Sequence, residues 1–179
     1  MHRLGGDTAV KKVLLILIMT SQKSLPIAEI VEYFLWKAKS LGKPLTNKKL
    51  QKLLYYAQAW SLVLRKQKLF EDKIEAWVHG PAVRSVYLKY KRFGFAPIKK
   101  EVDQSTLKKI PATVVGFLDQ VWKVYGKYDA GYLEYLTHSE EPWQKAREGI
   151  EAHVGSENEI PLQLMHDYYS SKLKASREK

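Results

Sequence analysis

Apolar residues recur every three to four positions in several separate stretches of the chain, and this spacing predicts a succession of helices. In the first stretch Ile27, Ile30, Val31, Phe34, Leu35, Ala38 and Leu41 share one side, with Ser24 and Pro26 as start signals and Gly42 as a stop. In the second, Thr46 or Asn47 caps a helix running to about Lys66. Its stripe of Leu50, Leu53, Leu54, Ala57, Ser61 and Leu64 leaves Lys48, Lys52 and Tyr55 on the other side. At Trp60, Leu62 and Val63 the pattern turns apolar nearly all round, as a central bundle helix requires.

Pro81 at a first helical position predicts a third helix, with Val83, Val86, Tyr87 and Tyr90 inward, Arg84, Lys91 and Arg92 outward, and Gly94 at its end. Val114, Phe117, Leu118, Val121, Tyr125 and Tyr128 form a fourth stripe. Asp129 is placed to cap a short helix carrying Leu133 and Leu136, and Ser139, Glu140 and Glu141 to open another that tolerates Pro142. After a loop from Gly149 to Glu159, Leu162, Met165, Tyr169 and Leu173 close the chain on one helical side.

Two segments break the period. Phe70, Ile74, Ala76 and Val78 fall at even spacing, which predicts a short strand or extended connector from Leu69 to Val78, with a short hairpin near it. Phe95 to Ile110 reads as a basic connector around Pro97. The expected fold is mainly α: a single irregular bundle of about six helices around the Leu50–Arg65 helix, with one short β-hairpin.

The apolar run Val13 to Met19 follows Lys11 and Lys12 and superficially resembles a signal peptide. Asp7 precedes it, no small-residue cleavage site follows, and a bilayer span needs about 20 residues. Residues 1–24 are read as a leader outside the domain, either an extension or upstream sequence ahead of a true start at Met19. Residues 25–174 are read as the domain and 175–179 as a basic tail.

Composition narrows the function classes. At 179 residues, 45% hydrophobic and 12% aromatic, the chain suits one folded domain. With 0 Cys it has no thiol nucleophile, disulfide or Cys-based zinc site, and a cytoplasmic location is the simpler expectation. Lys plus Arg number 30 against 19 Asp plus Glu, a formal charge of +11 that favours an acidic partner or nucleic acid. The charge is polarised: Lys37 to Lys68 contains no acid, whereas Asp129 to Glu159 is strongly acidic.

The candidate chemistry is sparse. Trp77-x-His79-Gly80-Pro81 builds a corner, since Gly allows a positive φ or a close approach and Pro fixes the exit. A catalytic base needs a substrate proton or nucleophile within reach, and none is identifiable for His79, which is therefore read as structural, bonded to backbone or to a Tyr. His138, Glu140 and Glu141 invite a metal, but the histidines lack i, i+4 pairing and three or four convergent ligands are required. Ser139 as a helix cap and Trp143 as a core residue are preferred. No phosphate loop or nucleophile elbow is present, so no catalytic residue, metal or cofactor is assigned and the chain is not read as an enzyme.

Binding surfaces are the alternative. Tyr33 and Trp36 leave the first stripe beside Lys37 and Lys39, either as an interaction hot spot or as a face covered by another helix or by the connector. Tyr33, Trp36, Lys48, Lys52, Tyr55 and Arg84 are the candidate contact residues. The first two helices and their Gly42-Lys43-Pro44 turn also look like a helix-turn-helix at low resolution, which keeps a nucleic-acid-binding regulator as the alternative function.

Lys49 to Tyr90, with Leu53, Tyr56, Leu69-Phe70, Glu75-Ala76-Trp77, His79-Gly80-Pro81 and Tyr87, resembles the SocA-like antitoxin or Panacea domain, which includes phage-associated GepA-like proteins. His138-Ser139-Glu140-Glu141-Pro142-Trp143, continuing through Ala146 and Arg147, resembles its second signature; Ala82 departs where similar sequences often carry Val. The resemblance implies an antitoxin that neutralises the toxin of a neighbouring gene by direct binding, through occlusion or delivery to a cellular protease. The implied partner is a protein toxin, with no membrane involvement, and the chain's own basic, aromatic face suits a toxin with an acidic contact surface. Trp77, His79, Gly80, Pro81, Tyr87, His138, Pro142 and Trp143 are then motif residues of a structural kind.

Overall fold

The computed structural model describes residues 23–178. The Val13–Met19 run and the start-site expectation lie outside them. Eight α-helices and one two-stranded hairpin make up the described fold, which is mainly α as expected.

Helix α1 (Ile27–Ser40) buries Ile30, Val31, Phe34, Leu35 and Ala38 of the stripe read from its periodicity, while Ile27 at its start is half-buried and Leu41 past its end is exposed. Thr46 caps α2 (Asn47–Trp60) by accepting a hydrogen bond from the Lys49 amide. Helix α2 is covered on every side, because all residues from Lys49 to Ala59 are buried. Leu50, Leu53 and Leu54 are fully enclosed, and each contributes roughly 1.5–3 kcal/mol by leaving water. Beyond Trp60 the helix widens into a π-helical turn at Ser61–Arg65 and stops at Lys66, whose φ is +58°. The Ser61 hydroxyl donates to the Gln67 carbonyl across this end.

Strands β1 (Glu75–Trp77) and β2 (Gly80–Ala82) pair antiparallel, with Trp77 opposite Gly80. The first strand thus lies within the Leu69–Val78 segment and the second just beyond it. Pro81 belongs to β2 and does not open a helix; α3 (Arg84–Tyr90) starts three residues on and passes into a 3-10 turn at Lys91–Phe93. The connector carries a short helix, α4 (Gln104–Leu107), capped by Asp103. Its buried anchor is Glu32, which accepts from Lys100 and from the Asp103 amide.

Helix α5 (Ala112–Tyr125) packs on α1 and α2; α6 (Ala130–His138) is capped by Asp129, as its sequence predicts. The cap of α7 (Glu141–Ala146) is Glu140 and not Ser139, whose hydroxyl donates back to the Leu136 carbonyl. Helix α8 (Leu162–Arg177) seats Met165 and Tyr169 against α2. None of the described helices is long and apolar enough to cross a membrane.

A candidate partner-binding face

An isolated two-stranded hairpin is marginally stable in water. Here both of its outer edges are occupied. Along β1, the Ala76 amide donates to the Asn158 carbonyl at 2.8 Å, and Arg147 Nη1 donates to the Ala76 carbonyl at 2.9 Å. Trp143 Nε1 donates to the Trp77 carbonyl at 2.9 Å. The Trp-x-His-Gly-Pro corner and the His-Ser-Glu-Glu-Pro-Trp segment, 66 residues apart at this bond, are therefore one structural unit.

The other edge is served by α2. Lys52 Nζ donates to the carbonyls of His79, at 2.5 Å, and Pro81, at 3.0 Å. Next to it, Gln51 Oε1 accepts from the Val83 amide, while Gln51 Nε2 donates to Asn47 Oδ1 one turn back and Asn47 Nδ2 donates to the Tyr87 carbonyl. Lys52 thus serves the outer edge of β2, and Gln51 and Asn47 fasten the chain that leaves it. Burial pushes the Lys52 ammonium down to about 7, against the opposing pull of Glu134.

Glu134 on α6 joins this edge to solvent. Its carboxylate accepts from Lys48 at 2.5 Å and contacts His79 Nδ1 at 2.9 Å. Burial would raise the Glu134 carboxyl, but hydrogen bonds from Lys48 and His79 outweigh it and hold the group below its ordinary value.

Between α2, the hairpin, α3 and the Gly94 turn lies a cavity of about 450 Å³, lined mainly by carbon. Trp77 and Tyr87 meet edge to face at 4.8 Å on one wall, and Lys91 and Phe95 form the rim. Phe95 is 91% exposed, the most solvent-facing large apolar side chain of the described residues. Lys91 makes no ion pair among the described residues.

Behind the hairpin a second buried network holds α8. Glu140 accepts from Tyr169 at 2.5 Å, Lys172 at 2.9 Å and Tyr56 at 3.4 Å. Tyr56 stacks on Tyr125 at 3.8 Å. The Arg147 guanidinium is buried and also donates to the Val154, Glu151 and Ala152 carbonyls, tying down the loop before α8.

Several expected contact residues are placed elsewhere. Tyr33 is buried by α5, where its hydroxyl and Lys37 both bind Asp119, and Trp36 beside it is half-buried. Lys52 and Tyr55 are buried because the hairpin and α8 cover the side of α2 that a single stripe leaves open. Lys48 and Arg84 remain partly exposed, each in ion pairs: Lys48 with Glu134, Arg84 with Glu75 and Glu157. The helix-turn-helix reading fails for the same reason, since a helix enclosed from Lys49 to Ala59 cannot enter a groove.

Of the motif residues, Leu53, Tyr56, Gly80, Pro81 and Pro142 are buried, while Trp77, His138 and Trp143 are half-buried, His138 stacking on Trp143 at 4.0 Å. The His79 imidazole is 73% exposed and bound to a carboxylate, not to backbone or a Tyr. Its carbonyl is the structural element. The periodicity missed Glu134, Gln51, Lys91 and Phe95 as site residues; an aromatic and basic run at Lys91–Phe95, interrupted only by Gly94, is the signal that marks the last two.

A family model for the antitoxin SocA-like, Panacea domain matches residues 50–144, just over half of the chain. The match opens in α2 and ends in α7, so it takes in Lys52, the hairpin, Glu134 and Trp143. No curated protein and no solved structure matches the chain.

Proposed function

The chain belongs to the antitoxin SocA-like, Panacea domain family, and on that premise we propose that it is an antitoxin, neutralising the protein toxin of a neighbouring gene by binding it directly. The family match is the observation that carries this reading. The geometry supports it: the residues of both signatures are spent on building a rigid hairpin platform, and beside that platform lies an apolar cavity with a cationic, aromatic rim. Aromatic anchors mixed with cations are what protein interfaces concentrate.

A net charge of +11 fits a toxin with an acidic contact surface, since complementary charge speeds association. The proposed mode is occlusion of the toxin's active surface, in the cytoplasm; delivery to a protease is its variant. Co-expression with the neighbouring open reading frame tests the proposal. Growth arrest by the toxin alone and growth with both proteins supports it; unrelieved arrest refutes it. A constant toxin level during rescue identifies occlusion, a falling one delivery.

A nucleic-acid role finds one supporting feature, the groove of about 430 Å³ between α1 and the connector, lined by Lys39, Lys43, Lys99 and Lys100. Two of these lysines are neutralised by Glu101 and Glu32. Duplex DNA retention measured at two salt concentrations tests it, because phosphate contacts weaken steeply with salt.

A further inference from the structure

The cavity beside the hairpin has the size of a ligand site, and its wall chemistry limits what can fill it. Most of its polar wall groups are already used: the Gln51 and Asn47 side-chain amides are spent on each other and on the backbone at Val83 and Tyr87, Lys52 on the His79 and Pro81 carbonyls, and Lys48 on Glu134. The wall therefore offers mainly ring faces and methylene groups, with His79 and Lys91 as its remaining polar side chains. What it offers to a partner is apolar contact at Trp77, Tyr87 and Phe95.

The rim adds charge. Lys48 is neutralised by Glu134, but Lys91 has no carboxylate partner among the described residues, leaving uncompensated positive charge at the mouth. Phe95 stands almost wholly in water next to it, held out by the Gly94 turn, where φ is +54°. A large apolar side chain exposed at the lip of an apolar cavity gains most by being covered.

We propose that this cavity is the anchor pocket of the toxin contact: it takes one aromatic or aliphatic side chain of the partner between Trp77, Tyr87 and Phe95, with a neighbouring carboxylate of the partner held by Lys91. The assignment rests on the antitoxin reading and commits it to a place and a chemistry. It shares Lys48 and Lys52 with the contact face read from the sequence, whose Tyr33 and Tyr55 are buried elsewhere.

Calorimetric titration of the purified neighbouring-gene toxin into the full chain and three variants provides the test. Phe95→Glu and Lys91→Glu alter exposed side chains, so their thermal melts should match the wild type. Val124→Ser alters an exposed residue on α5 at a separate small cavity. The expected result is affinity lowered about tenfold or more by each of the first two, the loss typical of an interface anchor, and changed less than about twofold by the third. Recovery of Lys91→Glu by one Asp or Glu to Lys substitution in the toxin would identify the paired carboxylate.

If the wild-type chain rescues growth and binds the toxin while Phe95→Glu and Lys91→Glu bind within about twofold, the pocket is overturned and the antitoxin reading stands. If the wild type neither binds nor rescues, both fall. If Phe95→Glu instead breaks a dimer of the chain, or Lys91→Glu abolishes DNA retention, with toxin affinity unchanged, the occupant is a second copy or nucleic acid and the proposal is overturned.

Discussion

Gly80 and Lys52 are packed so closely that a Cβ on Gly80 would stand 2.7 Å from the lysine Nζ and 2.9 Å from Thr137 Oγ1. The backbone there has φ +90°, a conformation open to Gly and costly to other residues. The ammonium has little freedom to yield, because it is held by the carbonyls on either side of the glycine. Gly80→Ala should therefore lose at least about 2 kcal/mol of stability, from a strain of roughly 1–3 kcal/mol together with the displaced lysine. Urea unfolding measures it, and a loss under about 0.5 kcal/mol, the range of ordinary surface changes, would contradict the packing.

Lys52 gives the fold a pH dependence of definite sign. In the unfolded chain its ammonium keeps its proton to near the ordinary value of 10.5, whereas burial in the fold brings release down to about 7. Between these values the unfolded state binds more protons, so the contribution of Lys52 to stability rises with pH from about 7 towards 10.5 and is flat below. The neutral amine still has two N–H groups for its two carbonyl acceptors, so deprotonation sacrifices neither bond. Wild type should gain on the order of a few kcal/mol over this window relative to Lys52→Met. Equal slopes in urea midpoints for the two proteins would rule this out, and a nitrogen chemical-shift titration of Lys52 reads the midpoint directly.

The same residue shows where the sequence was legible and where it was not. The α1 stripe, the Thr46 and Asp129 caps and the mainly helical class follow from local periodicity and capping, which are set within a few residues. Lys52 and Tyr55 lie on the side of α2 that local pattern marks as outer, yet are buried by the hairpin and α8, elements distant in sequence. Periodicity reports one apolar face and is blind to a second face closed by polar side chains that find carbonyl partners. Pro81 illustrates the complementary failure: it serves equally at a helix start and on a strand whose partner needs no N–H, and the Lys52 and Trp143 bonds around the corner decide the outcome. The cavity was out of reach altogether, since Trp77, Tyr87 and Phe95 converge through three different elements.

Arg147 lies beyond the matched family segment but completes its hairpin. Arg147 is 4% exposed and its guanidinium donates to Ala76 at 2.9 Å and Val154 at 2.6 Å, so a substitute without donors leaves the buried Ala76 carbonyl unpaired and the loop at Val154 untied. Arg147→Met should cost about 3 kcal/mol or more, two charge-assisted bonds at 1.5–3 kcal/mol each being removed. Arg147→Lys should recover only part of this, because one ammonium cannot span the fan of carbonyls that the planar group reaches. Limited proteolysis should cut the 149–160 loop first in either variant; unchanged cleavage would deny the arginine its anchoring role.

Glu140 should hold the last helix to the body. Tyr169 and Lys172, one turn apart on α8, both donate to it, and burial pushes the Tyr169 hydroxyl well above its ordinary value, so it remains a donor. Glu140→Gln keeps the shape but removes the charge that Lys172 faces, and should cost about 1.5–3 kcal/mol. The loss should be local, seen as faster amide exchange throughout α8 with α1 and α2 protected as before. Uniform acceleration over all helices would show that α8 is not separately secured.

His79 separates a structural platform from a catalytic centre. The sequence presents it as the one histidine in the most distinctive corner, where a base or a packed structural imidazole would both be reasonable. The structure splits the residue into two parts: a carbonyl bound by Lys52 and an imidazole 73% exposed, bound to Glu134 at 2.9 Å. Only the backbone part is built into the fold, so His79→Ala keeps the Lys52 bond and should change stability by less than about 1 kcal/mol, as for an exposed ion pair. Pro81→Gly, which loosens the strand presenting the second Lys52 acceptor, should cost more than His79→Ala. In a co-expression assay His79→Ala should still protect cells, because the proposed anchor is formed by Trp77, Tyr87, Phe95 and Lys91. Loss of protection by a fully folded, toxin-binding His79→Ala protein would point to chemistry at the imidazole, and occlusion alone would no longer account for neutralisation.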